Sequence, residues 1–277
     1  MAVSDPLRRR SVGAPAGRSV LLTVLGEFVL PRHEAVWQET LVGALGAAGI
    51  KVQAARQALA RSTRAGWLVS ERRGRRTRLA LSPQTSDLLE RGRRRIFGFG
   101  ADEPWDGEWL IVILRVPEAQ REVRHQLRTR LAWAGFGSLG GGIWITPRVE
   151  REPEVAEIVR GEDHADVVSF RGAVGRIGEP RDLVRSAWDL EAVAAQYRGF
   201  IEDFSAAAPE EPEAVFGRLT MLVHTWRKFP FVDPGLPTEL LPERWPRAEA
   251  HELFHARHTE WEPTARAYFE GLNAAIV

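Results

Sequence analysis

Two constellations in this 277-residue sequence could do chemistry, and they point in different directions. The first is His251-Glu252-Leu253-Phe254-His255, an H-E-x-x-H string. On a helix that spacing sets two imidazoles on one face for zinc and offers the glutamate as a base, with His258 and Glu262 close enough in sequence to be further ligands. The string is short, Leu253 and Phe254 suit helix packing, and neither the longer metzincin motif nor its glycine follows. A metal-dependent hydrolase using His251, Glu252 and His255 is therefore the alternative reading. The second constellation is a row of long polar side chains: Lys51, Gln53, Arg56, Gln57, Arg61 and Arg64, followed by Arg73, Arg75 and Arg76. An arginine fork matches guanine O6 and N7, and glutamine pairs bidentately with adenine, so Gln53, Arg56, Gln57 and Arg61 have the chemistry of base readers. The arginines after them suit phosphates, which supply affinity with strong salt dependence and little sequence readout.

The charge distribution favours the second reading. Residues 1–99 carry 18 Lys+Arg against 7 Asp+Glu, while residues 100–277 carry 20 against 30, so a net charge of +1 conceals a basic head on an acidic body. Such segregation suits a polyanion bound by the head alone. The absence of cysteine excludes disulfides, thiolate metal sites and cysteine nucleophiles. No apolar run approaches the ~20 residues of a membrane span, and the basic start leads to no secretory core, so the expectation is a cytoplasmic protein.

The elements that must hold these residues follow from periodicity. Residues 1–16, with Arg8, Arg9 and Arg10, have no apolar period and read as a flexible basic arm. Val20, Leu21, Val24, Leu25 and Phe28 have helical spacing, ended by Pro31. A second helix runs from about Trp37 to Ala48, closed by Gly49, and a third carries Val52, Ala55 and Leu59 on its apolar face, closed by Gly66. Trp67 to Arg72 and Arg76 to Leu81 form a basic hairpin around Arg73-Gly74-Arg75. Helix, helix, turn, helix and hairpin is the order of a winged helix-turn-helix, assigned to residues 17–98, with Ser82 capping a further helix. Beyond a linker, residues 105–178 alternate as β-α-β-β-α-β, a ferredoxin-like order that would serve as a dimerisation scaffold. Residues 180–277 form an all-helical effector and assembly domain, with one irregular stretch between Phe229 and Trp245. The expected class is thus α+β and multi-domain.

Three segments resemble the PaaX family, repressors of phenylacetate catabolism. They are Gly49 to Leu59 with Gly66-Trp67-Leu68-Val69, then Trp109 to Pro147, and finally Phe229 to Pro242, which is similar to that family's DP-x-LP-x-ELLP signature. The resemblance implies a non-enzymatic, dimeric repressor of double-stranded DNA, without a cofactor, released by an acyl-CoA such as phenylacetyl-CoA. A coenzyme A effector needs cations for its phosphates and an apolar slot for its acyl group, which makes Arg115, Arg128, His224, Arg227, Lys228 and Trp245 candidates. Two positions depart from the family pattern: Ser62 stands where a larger apolar residue is usual, and Pro246 is followed by arginine instead of glycine. The middle segment also resembles the ferredoxin-like nuclease of CRISPR adaptation. Its first strand, however, ends Leu114-Arg115-Val116-Pro117, without the aspartate that positions metal there.

Overall fold

The structure, a computed structural model, describes residues 17–100, 104–161, 165–207 and 209–276. The expected arm at 1–16 lies outside them. The fold is mixed α+β with two antiparallel sheets, and the chain divides into two compact units. Among the described residues no helix is long and apolar enough to cross a membrane.

The first unit comprises residues up to Gly98 together with Phe200–Arg227 and His251 onward. It opens with α1 (Gly17–Val24), which widens into a π turn at Leu25–Val29 and tightens into a 3-10 turn at Leu30–Arg32. The sequence predicts one uninterrupted helix here. The difference has a local cause: a proline ring clashes with the carbonyl four residues earlier, and Pro31 places that clash at Glu27, inside the widened turn. Then follow β1 (Val36–Trp37), α2 (Gln38–Ala47), α3 (Val52–Arg64), the hairpin β2 (Leu68–Arg73) and β3 (Arg76–Leu81), and α4 (Pro83–Phe97), whose Ser82 cap accepts from the Thr85 N–H at 3.4 Å. Trp37, expected in the second helix, lies instead in β1, which pairs with β3 to make a sheet of order β1-β3-β2.

Two C-terminal helices complete this unit, α9 (Pro212–Trp226) and most of α11 (Arg247–Ala274), with the end of α8 (Leu190–Phe204). Phe28 lies 4.5 Å from Phe216 of α9 and 5.4 Å from Phe269 of α11, ring centre to ring centre. Polar groups fix the same helices to α1. The buried carboxylate of Glu27 meets His258 Nε2 at 2.8 Å, Thr23 Oγ1 meets His224 Nδ1 at 3.2 Å, and Arg227 donates to the Ser19 carbonyl at 3.0 Å. Burial pulls the Arg227 guanidinium down to about 10.

The second unit comprises Phe99–Gly199 and Lys228–Ala250. Its elements are β4 (Glu108–Arg115), α5 (Arg121–Trp133), β5 (Gly137–Gly140), β6 (Ile143–Thr146), α6 (Glu152–Val159), β7 (Asp166–Ala173), α7 (Pro180–Ala187) and the short α10 (Phe229–Val232). The four strands form an antiparallel sheet in the order β5-β6-β4-β7. Alternation along β4 serves both faces. Leu110, Val112 and Leu114 pack on Leu127 and Leu131 of α5 and Val155 of α6, while Trp109 packs with Ile145, Val184 and Leu236 on the other side. Each fully buried large apolar side chain contributes about 1.5–3 kcal/mol. The rest of that second face is open: Ile143, Val168 and Phe170 are 37%, 44% and 53% exposed.

Candidate nucleic-acid interface

The turn between α2 and α3 and the end of α3 use one device. The Gly49 N–H donates to the Gly46 carbonyl at 2.8 Å and that of Ile50 to Leu45 at 2.9 Å; Gly66 and Trp67 repeat the pattern on Thr63 and Ser62 at 3.0 and 2.9 Å. These paired bonds are Schellman closures, and they need a left-handed residue at the first position. Gly49 (φ +82°) and Gly66 (φ +74°) supply it without the steric cost of a Cβ. Both ends of α3 are thereby fixed, and its rotation about its own axis is set by Ala55, Ala58, Leu59 and Ser62, all buried.

That rotation turns Gln53, Arg56, Gln57, Arg61 and Arg64 to solvent, with Lys51 exposed just before the helix. At about 100° per residue, Gln53, Gln57 and Arg64 lie near the middle of the exposed arc, flanked by Arg56 and Arg61. Among the described residues none of these five side chains has a hydrogen bond or an ion pair. Desolvated guanidinium groups with no internal partner are costly, so a row held in water keeps its donors available to an external acceptor. Val52, which spacing assigns to the apolar face, is 52% exposed at the start of α3, because Ala55 and Ser62 rather than Val52 define the buried stripe. Its sequence signal was the flanking Lys51 and Gln53: a valine between two polar residues at a helix start need not face inward. An exposed apolar group there suits a thymine methyl.

Arg73 and Arg76 face each other across the hairpin, leaving Gly74-Arg75 as a two-residue turn. All three arginines are exposed; Arg73 pairs with Glu71 at 2.6 Å, whereas Arg75 and Arg76 have no side-chain partner among the described residues. The third strand, β1, anchors the base of the hairpin through Val36 opposite Leu79. Ser62, one of the two departures in sequence, is fully buried, and its hydroxyl has no hydrogen-bond partner among the described residues.

Residues 16–85 match the family model described as PaaX-like protein, residues 102–184 the PaaX protein central Cas2-like domain, and residues 188–271 the PaaX-like protein C-terminal domain. The chain belongs to the PaaX family. One relative is the transcriptional repressor PaaX of Escherichia coli (strain K12), 28% identical over 267 residues, which cover 91% of this chain and 83% of that protein. Among solved structures it resembles the uncharacterized protein Rv0674 from Mycobacterium tuberculosis, with a TM-score of 0.62 and 26% identity over 92% of this chain and 99% of that one.

The PaaX signature segment from Phe229 to Pro242 builds a buried polar knot in the second unit. The Asp233 carboxylate accepts from the Tyr197 hydroxyl at 2.6 Å and from the Gly235 N–H at 2.7 Å, and stands 3.7 Å from the Arg247 guanidinium. Arg247 in turn donates to the Leu236 carbonyl at 3.1 Å. Burial, and then the Asp233 charge, push the Tyr197 phenol far above its ordinary range. Tyr197 also stacks on Phe229, with ring centres 4.1 Å apart. The second departure in sequence, arginine after Pro246, is therefore a member of this knot.

The six effector candidates fall in both units. His224 and Arg227 belong to the first, where they bond Thr23 and Ser19. In the second unit Arg115 lies 3.8 Å from Asp166, Arg128 is exposed on α5, Lys228 is exposed, and Trp245 meets the Tyr197 ring edge-on at 6.2 Å. In the H-E-x-x-H string the His251 and His255 rings lie 4.4 Å apart in the T-shaped arrangement of aromatic contact, and His258 is engaged by Glu27. Among the described residues no three His, Asp or Glu side chains form a group suited to a metal.

Proposed function

We propose that this protein is a transcriptional repressor that binds duplex DNA through a winged helix-turn-helix spanning residues 17–98, with α3 in the major groove and the β2–β3 wing along the backbone. The observation that carries this reading is the row of exposed, unpaired Gln and Arg side chains on α3, whose ends and rotation are fixed by the two glycine closures and the buried Ala55, Ala58 and Leu59. Such preorganisation lets base contacts form without first ordering the helix. The repressor relative and the family supply the biological setting.

The strand order β5-β6-β4-β7 supports a ferredoxin-like reading of residues 105–178, and the exposed Ile143, Val168 and Phe170 support its use in homodimerisation. The helices of 180–277, contributed to both units, carry assembly and effector sensing in this scheme, with an acyl-CoA as the releasing ligand. Fluorescence anisotropy on promoter and random duplexes tests the DNA reading. Replacing Arg73 and Arg75 by alanine lowers affinity equally on both and shallows the salt slope, because the lost contacts are to phosphates. An unchanged slope removes the wing from the interface. A panel of acyl-CoAs added to the complex tests the effector: release by none of them ends that part of the proposal.

A further inference from the structure

The second unit is acidic, with 16 Lys+Arg against 21 Asp+Glu over Phe99–Gly199 and Lys228–Ala250, yet α5 carries four arginines against one glutamate. Leu127 and Leu131 bury the inner face of α5. On its outer face Arg121, Arg124, His125 and Arg128 fall within about 100° of arc, and Arg121 and Arg128 are about 10 Å apart along the axis. Arg121, His125 and Arg128 are exposed and have no side-chain partner among the described residues, while half-buried Arg124 donates to the Pro117 carbonyl at 3.1 Å.

The remaining exposed arginines of this unit behave differently. Arg115, Arg160, Arg171, Arg185 and Arg198 each hold a carboxylate, Asp166, Glu157, Glu152, Asp182 and Glu191 respectively. Arg181 donates to the Glu239 carbonyl at 3.2 Å; Arg176 and Arg244 have no side-chain partner among the described residues but stand singly on loops. Arg121, His125 and Arg128 on α5 thus form an exposed row without side-chain partners among the described residues, as Arg56, Arg61 and Arg64 do on α3. The α5 row differs from α3 in lacking glutamine among its four members, so it has cations for phosphates and no adenine-reading amide.

We propose that the outer face of α5 is a second phosphate-binding surface, engaging the backbone of duplex DNA. This inference rests on the DNA-binding function proposed above. The electrostatic argument is specific to this chain: an acidic unit tethered to a DNA-binding head is repelled by the duplex, and a local basic row on that unit offsets the repulsion where the two approach. The contact reads no sequence and adds to the number of phosphates neutralised.

The test uses the full chain with Arg121→Gln and Arg128→Gln together, both exposed and unpaired, and both replaced by a good helix former. Circular dichroism checks the fold, and anisotropy is read on duplexes of increasing length between 50 and 200 mM salt. Two lost phosphate contacts lower the log–log salt slope by about 1.8, so across that range the wild type loses about twelvefold more affinity than the variant on long duplexes. An unchanged slope at every length, with wild-type binding intact, overturns the α5 proposal and leaves the α3 reading standing. Wild-type chain without salt-dependent affinity for any duplex overturns both. Adenosine 3′,5′-bisphosphate provides the other arm: if the variant loses affinity for it while its DNA slope is unchanged, the row serves a soluble phosphate ligand and the proposal falls.

Discussion

Replacing Asp233 by alanine should destabilise the second unit by about 3–5 kcal/mol, the cost of breaking a buried ion pair by removing one partner. The structure gives the reasons for expecting the large value. The carboxylate is fully buried, accepts two hydrogen bonds shorter than 2.8 Å, and stands beside a guanidinium that is itself 7% exposed. Without it the Tyr197 hydroxyl and the Arg247 guanidinium lose the buried carboxylate they share. Tyr197→Phe removes one donor to a charged acceptor and should cost about 1.5–3 kcal/mol. Because the chain has two units, a single melting temperature would average over them. Urea unfolding should instead be followed by amide hydrogen exchange over residues 229–242. The double change Asp233→Ala with Arg247→Met removes both charges, and its cost should fall short of the sum of the single changes by more than 1 kcal/mol. Additive costs, or a loss below about 1 kcal/mol for Asp233→Ala, would refute the view that these groups act as one unit.

Further expectations concern the first unit. Ser62→Ala removes a buried hydroxyl without a partner and should raise stability by about 1 kcal/mol in chemical denaturation; a loss of similar size would mean that the hydroxyl is satisfied. Burial, followed by the neighbouring His251 and His258 imidazoles, holds the His255 imidazole below its ordinary range. The folded state therefore binds that proton less readily than the unfolded chain, and stability falls as pH drops below the ordinary histidine value of about 6.5. His255→Gln should flatten that decline, and an equally steep one in the variant would point to other groups. Gln57→Ala should cost about 1–3 kcal/mol on a preferred site and little on random DNA, as read by competition anisotropy; equal losses on both would assign Gln57 to the backbone.

Much of this architecture was legible because local signals agreed with one another. Gly49 and Gly66 marked helix ends that the structure closes at those residues, and Ser82 marked the start of α4. The β-α-β-β-α-β order from Glu108 to Ala173 followed from period-2 and helical patterns. What escaped was set by partners distant in sequence. Two-residue β1 exists because Val36 and Trp37 meet Leu79 and Arg78, and no window around residue 36 contains that information. Glu27 looks like a solvent-facing helix residue until His258 is brought to it. Asp233 accepts from the Gly235 N–H within its own turn, but its pairing with Tyr197 and Arg247 depends on residues 36 positions before and 14 after it. For α3 the polar row was clear from composition, whereas the exposure of Val52 depended on small residues defining the packed stripe.

The first unit is assembled from stretches far apart in the chain, and this has a consequence for the order of events at the ribosome. Residues up to Gly98 contain all of α1 to α4, yet their partners Phe216, His258 and Phe269, and Asn273, which accepts from the Trp37 N–H at 3.2 Å, are made much later. At ordinary elongation rates of about 5–20 residues per second, the segment bearing the polar row of α3 waits roughly 10–35 s for those partners. During that interval the apolar faces of α1 and α2 lack their full cover, while the residues that complete the second unit, up to Ala250, emerge before His258, Phe269 and Asn273. Newly made chain is thus exposed to chaperones and proteases before its first unit can fully form, and the supply of folded protein depends on how long that vulnerable interval lasts.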